Sequence, residues 1–397
     1  MTSPAGTSQR PELPFGSFII LPDLFLALVI ALRPGVALRI IAFAAYVYVN
    51  VKGLSFTTGD AFRNYGIGSV FSSQISTAVH FFWLHDPLSE FRHELDQVSP
   101  QSMPLWRRVY WAMCVLHSPR GIGWNNEVPK LPPRPTESKW TFVRSALMRA
   151  VGYFLLLDLS QSYIHFNPLF SLTGDDVLSI TAQGYILRCA NIIAWAAVPY
   201  TQLNIQYNLL ASLAVAVGFS EPKYWTPLYG SLMDAYTLRR FWGRTWHQLF
   251  RRITTSMGQF CSRSLGCSPN SMTALLFQLF VGFMASGFMH SGGDAMVGMQ
   301  HLWASLPFFL AQPVAITLET AVIGIARHAG YTRSNIWLRL VGYAWVFLWF
   351  SISVPWLIDW AVSAGLGHCE VLPISPIRST IHALQQFTGV WILTNQK

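Results

Sequence analysis

Charge is what this chain has least of. Asp, Glu, Lys and Arg make up 11% of its 397 residues, where a soluble protein carries about a quarter. The shortage falls hardest on the acids: 18 Asp and Glu face 27 Lys and Arg, a net charge of +9. The short alternating segments of a membrane barrel are missing as well. So are the G-x-S-x-G elbow, the Walker loop and the H-E-x-x-H pair, which argues against serine, nucleotide and zinc hydrolysis. The five cysteines (Cys114, Cys189, Cys261, Cys267, Cys369) are an odd, scattered set, and Cys261 and Cys267, six apart, have no histidine at ligand spacing. No metal site is expected. There is no N-x-[ST] sequon and no internal repeat. The polar start, through Pro14, lacks the basic, apolar and cleavage order of a signal peptide, so the first helix is expected to stay as an anchor.

What is present is apolar. Hydrophobic residues reach 52% and the mean hydropathy is +0.35. They gather in runs of roughly 17 to 23 residues, the length that crosses a bilayer. The fold class is therefore all-α, a polytopic transmembrane bundle of about eight to ten spans. Candidate spans cover 18–32, 35–49, 66–84, 142–159, 184–218, 272–289, 297–326 and 336–358, with a shorter stretch at 381–393. Loops 85–140 and 221–268 hold seven Lys or Arg each, which places both in the cytosol. The connection 161–183 carries Asp175 and Asp176 but no Lys or Arg, and reads as lumenal. An odd number of crossings must then separate it from 221–268, so 184–218 is read as one long span broken at Pro199. Trp106-Arg107-Arg108-Val109-Tyr110-Trp111 reads as an interfacial helix, and prolines and glycines make 118–135 a loop. The whole is expected to be a single membrane-embedded domain, 1–397, behind a polar tail at 1–17.

Two places carry chemistry. The stretch 237–252 packs five arginines, two tryptophans and a histidine into sixteen residues. Arg239, Arg240, Arg244, Arg251 and Arg252 suit phosphate, which guanidinium groups bind in a bidentate way; positive-inside bias and anionic headgroups explain the same charge. Trp242 and Trp246, four apart, could form a stacking wall or an interfacial belt. His247 shares a helical face with Gly243 and Arg244, or is an interfacial histidine among headgroup-binding arginines. The second place is Met289-His290-Ser291-Gly292-Gly293-Asp294, where a histidine is expected to end the apolar run 272–289. An ionisable group there faces a cavity and can act as a general base, or it caps the span at the interface. Ser286, Gly287, Ser291, Gly292 and Gly293 remove bulk, so a substrate or another backbone can come close. Nucleic acid is not expected, because the basic residues alternate with membrane-length apolar runs.

Phe241-Trp242-Gly243-Arg244-x-Trp246-His247 resembles the F-W-G-R-R-W-[HN] signature of the wax-synthase-like branch of membrane-bound O-acyltransferases. The run ending at His290 resembles that family's catalytic segment, and Arg120-Gly121-Ile122-Gly123-Trp124 resembles a loop of its fungal members. The likeness covers roughly residues 80 to 360, with two departures: Thr245 stands where an arginine is usual, and His247 where sterol and diacylglycerol relatives have asparagine. The resemblance implies that His290 is the base, with His247 assisting. It also implies that Arg239, Arg240, Trp242, Arg244 and Trp246 hold an acyl-CoA.

The expected reaction moves an acyl group, acetyl from acetyl-CoA, to a hydroxyl of a lipophilic terpenoid or meroterpenoid-like secondary metabolite. It requires no cofactor beyond the co-substrate, only a base, a positioned donor and exclusion of water. The partners expected are acyl-CoA, a hydroxyl-bearing acceptor and membrane lipids, and the setting is the endoplasmic reticulum. Aromatic bulk at Phe277, Phe280, Phe283 and Phe288 favours a short acyl pocket over the long channel of a wax or sterol ester synthase. A transporter is the alternative of another class, and would show symmetry between halves. A terpene cyclase would need membrane acids, of which Asp158, Glu319 and Asp359 are the few available.

Overall fold

The computed structural model describes residues 10–171, 178–331 and 335–388. Asp175 and Asp176, the first nine residues of the polar tail and the end of the 381–393 stretch lie outside the described residues. What is described is helix and loop, with isolated β-bridges at Glu12–Thr57 and His93–Trp124. The helices are α1 Leu21–Leu32, α2 Val36–Gly53, α3 Ala61–Val79, α4 Pro87–Glu90, α5 Leu105–Leu116, α6 Lys139–Phe166 and α7 Tyr185–Ala216. They continue with α8 Leu238–Arg240, α9 Arg251–Ser264, α10 Met272–Val297, α11 Leu306–His328, α12 Ile336–Ser353, α13 Pro355–Ser363 and α14 Pro376–Thr388.

By length and composition, four segments among the described residues can cross a membrane: α2, α10, Met299–His328 and Ile336–Ser363. Helices α6 and α7 are longer than α2 but more polar, and several of their amides and hydroxyls are paired side chain to side chain or with the helix itself. Arg149 Nε donates to Asn208 Oδ1 at 3.0 Å. Asn204 and Asn208 donate to the carbonyls four residues back, those of Tyr200 and Asn204. That is the condition for placing amides in a low-dielectric medium.

The single reading of 184–218 holds, since α7 is one helix with Pro199 inside it. The expected break does not occur: the helix continues through Pro199. Thr201 Oγ1 donates to the Ala197 carbonyl at 2.6 Å and engages a backbone acceptor in the turn the proline disturbs. A larger departure concerns α10, which does not end at His290. It runs about two further turns, to Val297. Inside the helix Ser291 bonds the Gly287 carbonyl of its own turn, Gly292 and Gly293 meet α3, and Asp294 accepts from Ser305.

The chain forms two compact units. One comprises residues up to Pro129 together with Leu249–Thr317. Its core joins Leu26, Ala27 and Ile30 of α1 to Phe81, Phe82, Leu88, Phe91, and Trp111, Ala112 and Val115 of α5. Trp106 and Tyr110 on the opposite face of α5 are exposed, as an interfacial helix requires. In the same unit α3 and α10 touch backbone to backbone. A methyl group on Gly68 or Gly292 would collide with the other helix's backbone, so only glycine permits this approach. The other unit comprises Lys130–Gln248 and the residues from Leu318 onward. There α6 packs along α7 through Phe142, Val143, Ala146, Ala211 and Val215.

Candidate active site

Within the first unit, the glycine contact decides what His290 meets. Gly293 leaves only enough room for α3 that a Cβ would lie 2.5 Å from the Tyr65 carbonyl and 2.5 Å from Ser69 Oγ. The backbone, not a substrate, is thus what these glycines admit. The approach brings the Tyr65 hydroxyl to 2.8 Å from His290 Nδ1. Gly287 performs the same service on the other side, where a methyl would meet Leu306 Cδ1 at 2.5 Å and Phe309 Cβ at 3.3 Å. The Phe309 ring accordingly stacks on the half-buried imidazole, with centroids 4.5 Å apart and planes 20° from parallel.

The polar chain continues past Tyr65. Its hydroxyl lies 3.5 Å from Ser305 Oγ, and Ser305 gives both its Oγ–H (2.6 Å) and its N–H (2.8 Å) to the carboxylate of Asp294. Asp294 is fully buried, and as an ionised carboxylate it can only accept. Ser305 donates to Asp294, and the Tyr65–His290 bond takes its sense from the imidazole tautomer. In the tautomer with the proton on Nδ1, His290 donates to Tyr65 and Nε2 keeps its lone pair. Tyr65 and Ser305 carry no signal in the sequence; they stand 225 and 15 residues away from His290 and no motif includes them. Asp294 does stand at the fourth position after His290, but the structure connects the two through Ser305 and Tyr65.

In the second unit the basic motif is a compact turn. Thr237 caps α8 through the Arg240 N–H, a π-helical turn runs from Phe241 to Thr245, and Gln248 Nε2 ties it off by bonding the carbonyls of Trp242 and Trp246. The buried carboxylate of Glu319 accepts the N–H groups of Leu238 (2.6 Å) and Arg239 (3.1 Å) and the indole N–H of Trp345 (3.0 Å). Thr245, in the place of the usual arginine, is 3% exposed and bonds the Ser231 carbonyl, so it anchors the turn. Arg239 reaches Thr320. Arg240 pairs with Asp234 and lies over Tyr236, 4.3 Å from the ring centre. Arg244 lies 3.7 Å from the same Asp234 carboxylate. Phe241, Trp242, Trp246 and Phe350 form an aromatic cluster, and His247 lies against Trp246 and Tyr229.

The sixteen-residue basic stretch is divided between the two units. Arg239, Arg240, Trp242, Arg244, Trp246 and His247 belong to the second unit, whereas Arg251, Arg252 and His290 belong to the first. Arg252 is a packing residue. It lies over the rings of Phe81 and Phe91 and donates to the Val115 carbonyl, and burial lowers its pKa to about 10. Phe280 and Phe288 are 39% and 37% exposed, and Phe309 is the ring stacked on the histidine. The acids a cyclase would need are engaged in structure: Asp158 by Ser375 and Ile377, Asp359 by the Ile180 N–H, and Glu319 as above.

Comparisons with known proteins supply the family. The description "Membrane bound O-acyl transferase family" applies to a family model that matches residues 225–311, and one for the aspirochlorine biosynthesis protein F C-terminal domain matches 138–216. The chain is 34% identical over 352 residues to acetyltransferase ple2 of Rhodocybe pseudopiperita, covering 87% of this chain and 90% of that protein. It is 31% identical to acetyltransferase eriL of Hericium erinaceus, covering 74% and 76%. With acetyltransferase TRI7 of Fusarium sporotrichioides it shares 29%, covering 63% of each. The chain belongs to the membrane-bound O-acyltransferase family. It is an integral membrane enzyme that transfers an acyl group to oxygen.

Proposed function

We propose that the enzyme moves acetyl from acetyl-CoA to a hydroxyl of a lipophilic, terpenoid-like secondary metabolite in the endoplasmic reticulum membrane. The observation that carries the chemistry is the bond chain from His290 to Asp294. With Nδ1–H committed to Tyr65, Nε2 is free to take the proton of the acceptor hydroxyl. The oxygen attacks the thioester carbonyl, the carbon–sulfur bond breaks, and the departing thiolate takes the proton back from the imidazolium. Asp294, reached through two hydroxyls, stabilises that imidazolium without leaving its own bonds. Arg239 and Arg244, with Arg240 shared with Asp234, meet the phosphates of the donor, and His247 positions it. The transferred group is assigned as acetyl because the similar proteins named above are acetyltransferases.

The test is acetyl transfer from labelled acetyl-CoA by protein purified in detergent, against a panel of terpenoid alcohols. His290→Ala is expected to lower kcat by about 10²- to 10⁴-fold, the usual worth of a general base, with its elution volume and melting temperature unchanged. A well-folded variant that keeps more than about a tenth of wild-type kcat removes His290 from the role of base. Equal use of long-chain acyl-CoA and acetyl-CoA would overturn the acetyl assignment.

A further inference from the structure

The second unit contains a buried polar atom that the mechanism does not use. Tyr229 is 8% exposed, and its hydroxyl has no hydrogen-bond partner among the described residues. Leaving such a group unpaired is costly, and the surroundings hold it in place. Its ring meets Trp246 edge-on (centroids 5.3 Å, 79°) and His247 likewise (5.7 Å, 79°). Behind it stands Tyr200 of α7, 4.4 Å away, followed by Tyr153 of α6 at 5.8 Å from Tyr200. The next residue, Gly230, donates its N–H to the Thr245 carbonyl at 2.9 Å, and a methyl there would strike the Arg244 carbonyl. Tyr229 is therefore locked beside both the arginine end and the histidine end of the motif. Burial and the neighbouring Tyr200 and Tyr153 push its phenol above the ordinary value, so it remains an O–H donor at any working pH.

We propose that Tyr229 is a donor-binding residue whose hydroxyl bonds an amide carbonyl of the pantetheine arm, a reading that rests on acyl-CoA being the donor. Coenzyme A has two amides between its diphosphate and its sulfur. With the phosphates at Arg244, the first carbonyl beyond the diphosphate is the pantetheine acceptor nearest a donor fixed beside that arginine. Tyr229 is the donor locked beside Arg244 by the Gly230 contact. A phenol suits an amide better than a charged group would, since it selects the carbonyl without attracting a further phosphate.

Tyr229→Phe separates this role from a structural one, because an unpartnered hydroxyl supports nothing in the empty protein. The variant is expected to melt at the same temperature as wild type or above it. Binding by calorimetry in detergent is expected to weaken about 2- to 10-fold for coenzyme A, with no change for adenosine 3′,5′-diphosphate, which has no pantetheine. Unchanged affinity for coenzyme A overturns the assignment, and so does an equal loss for both ligands or a lowered melting temperature. Absence of coenzyme A binding by the wild-type protein would instead refute the donor reading itself.

Discussion

Replacing Tyr65 with phenylalanine removes one oxygen from the chain that runs from His290 to Asp294. The ring stays, so the α3 contact at Gly293 and the packing against the imidazole, with centroids 6.0 Å apart, are retained. What is lost is the acceptor 2.8 Å from His290 Nδ1. An N–H left unpaired in a buried site costs about 1–3 kcal/mol. The imidazole avoids this cost by moving its proton to Nε2, which is the atom the reaction needs bare. At 1.4 kcal/mol per factor of ten, the competent tautomer falls by about 5- to 150-fold, and kcat falls with it. Since no substrate contact is removed, KM for acetyl-CoA and for the acceptor should stay within about twofold. The assay is steady-state acetyl transfer by the purified variant, with circular dichroism and melting temperature as controls. If Tyr65→Phe keeps more than half of wild-type kcat, the hydroxyl does not set the tautomer and the chain to Asp294 has no part in proton transfer.

Two further outcomes follow from the same geometry. Gly292→Ala puts a methyl into the Gly68 carbonyl and the Ser72 hydroxyl, and backbone cannot yield as a side chain does. It should cost upwards of about 3 kcal/mol and abolish activity through unfolding, measured as loss of monodisperse protein and of melting temperature, in contrast to His290→Ala; a stable Gly292→Ala protein would show that the helices do not depend on this contact. Arg244→Ala should raise KM for acetyl-CoA about 3- to 30-fold with kcat little changed, discounted because the guanidinium is partly exposed and shared with Asp234. A change confined to the acceptor's KM would assign this arginine to the other substrate.

The sequence was most legible where physics is local. Long apolar runs became helices at nearly the expected positions, and the single reading of α7 followed from counting charges on either side of it. The motif was legible as a basic aromatic cluster because arginines in an apolar chain are conspicuous. It was not legible that Arg252 would be spent on Phe81, Phe91 and Val115, since spacing cannot tell a packing arginine from a binding one. Nor was it legible that α10 would continue past His290. Two glycines, a serine and an aspartate read as a helix end unless one knows that Gly68 on α3 and Ser305 before α11 will meet them. Tyr65 was invisible for the same reason, as its role arises only where two distant backbones touch.

Glu319 has one more bearing on how this enzyme can change over time. Its carboxylate already occupies the two amides that open the motif's turn, those of Leu238 and Arg239, where an incoming phosphate would otherwise find main-chain donors. On the proposed reading, a phosphate arriving here finds those two amides taken and relies the more on guanidinium side chains. Main-chain grip is the same whatever residue stands at a position, but grip by guanidinium groups is replaceable one substitution at a time and fades with ionic strength. If the motif binds the donor as proposed, affinity for it can drift along a lineage without disturbing the turn, because the anion that holds the turn in shape is part of the chain itself.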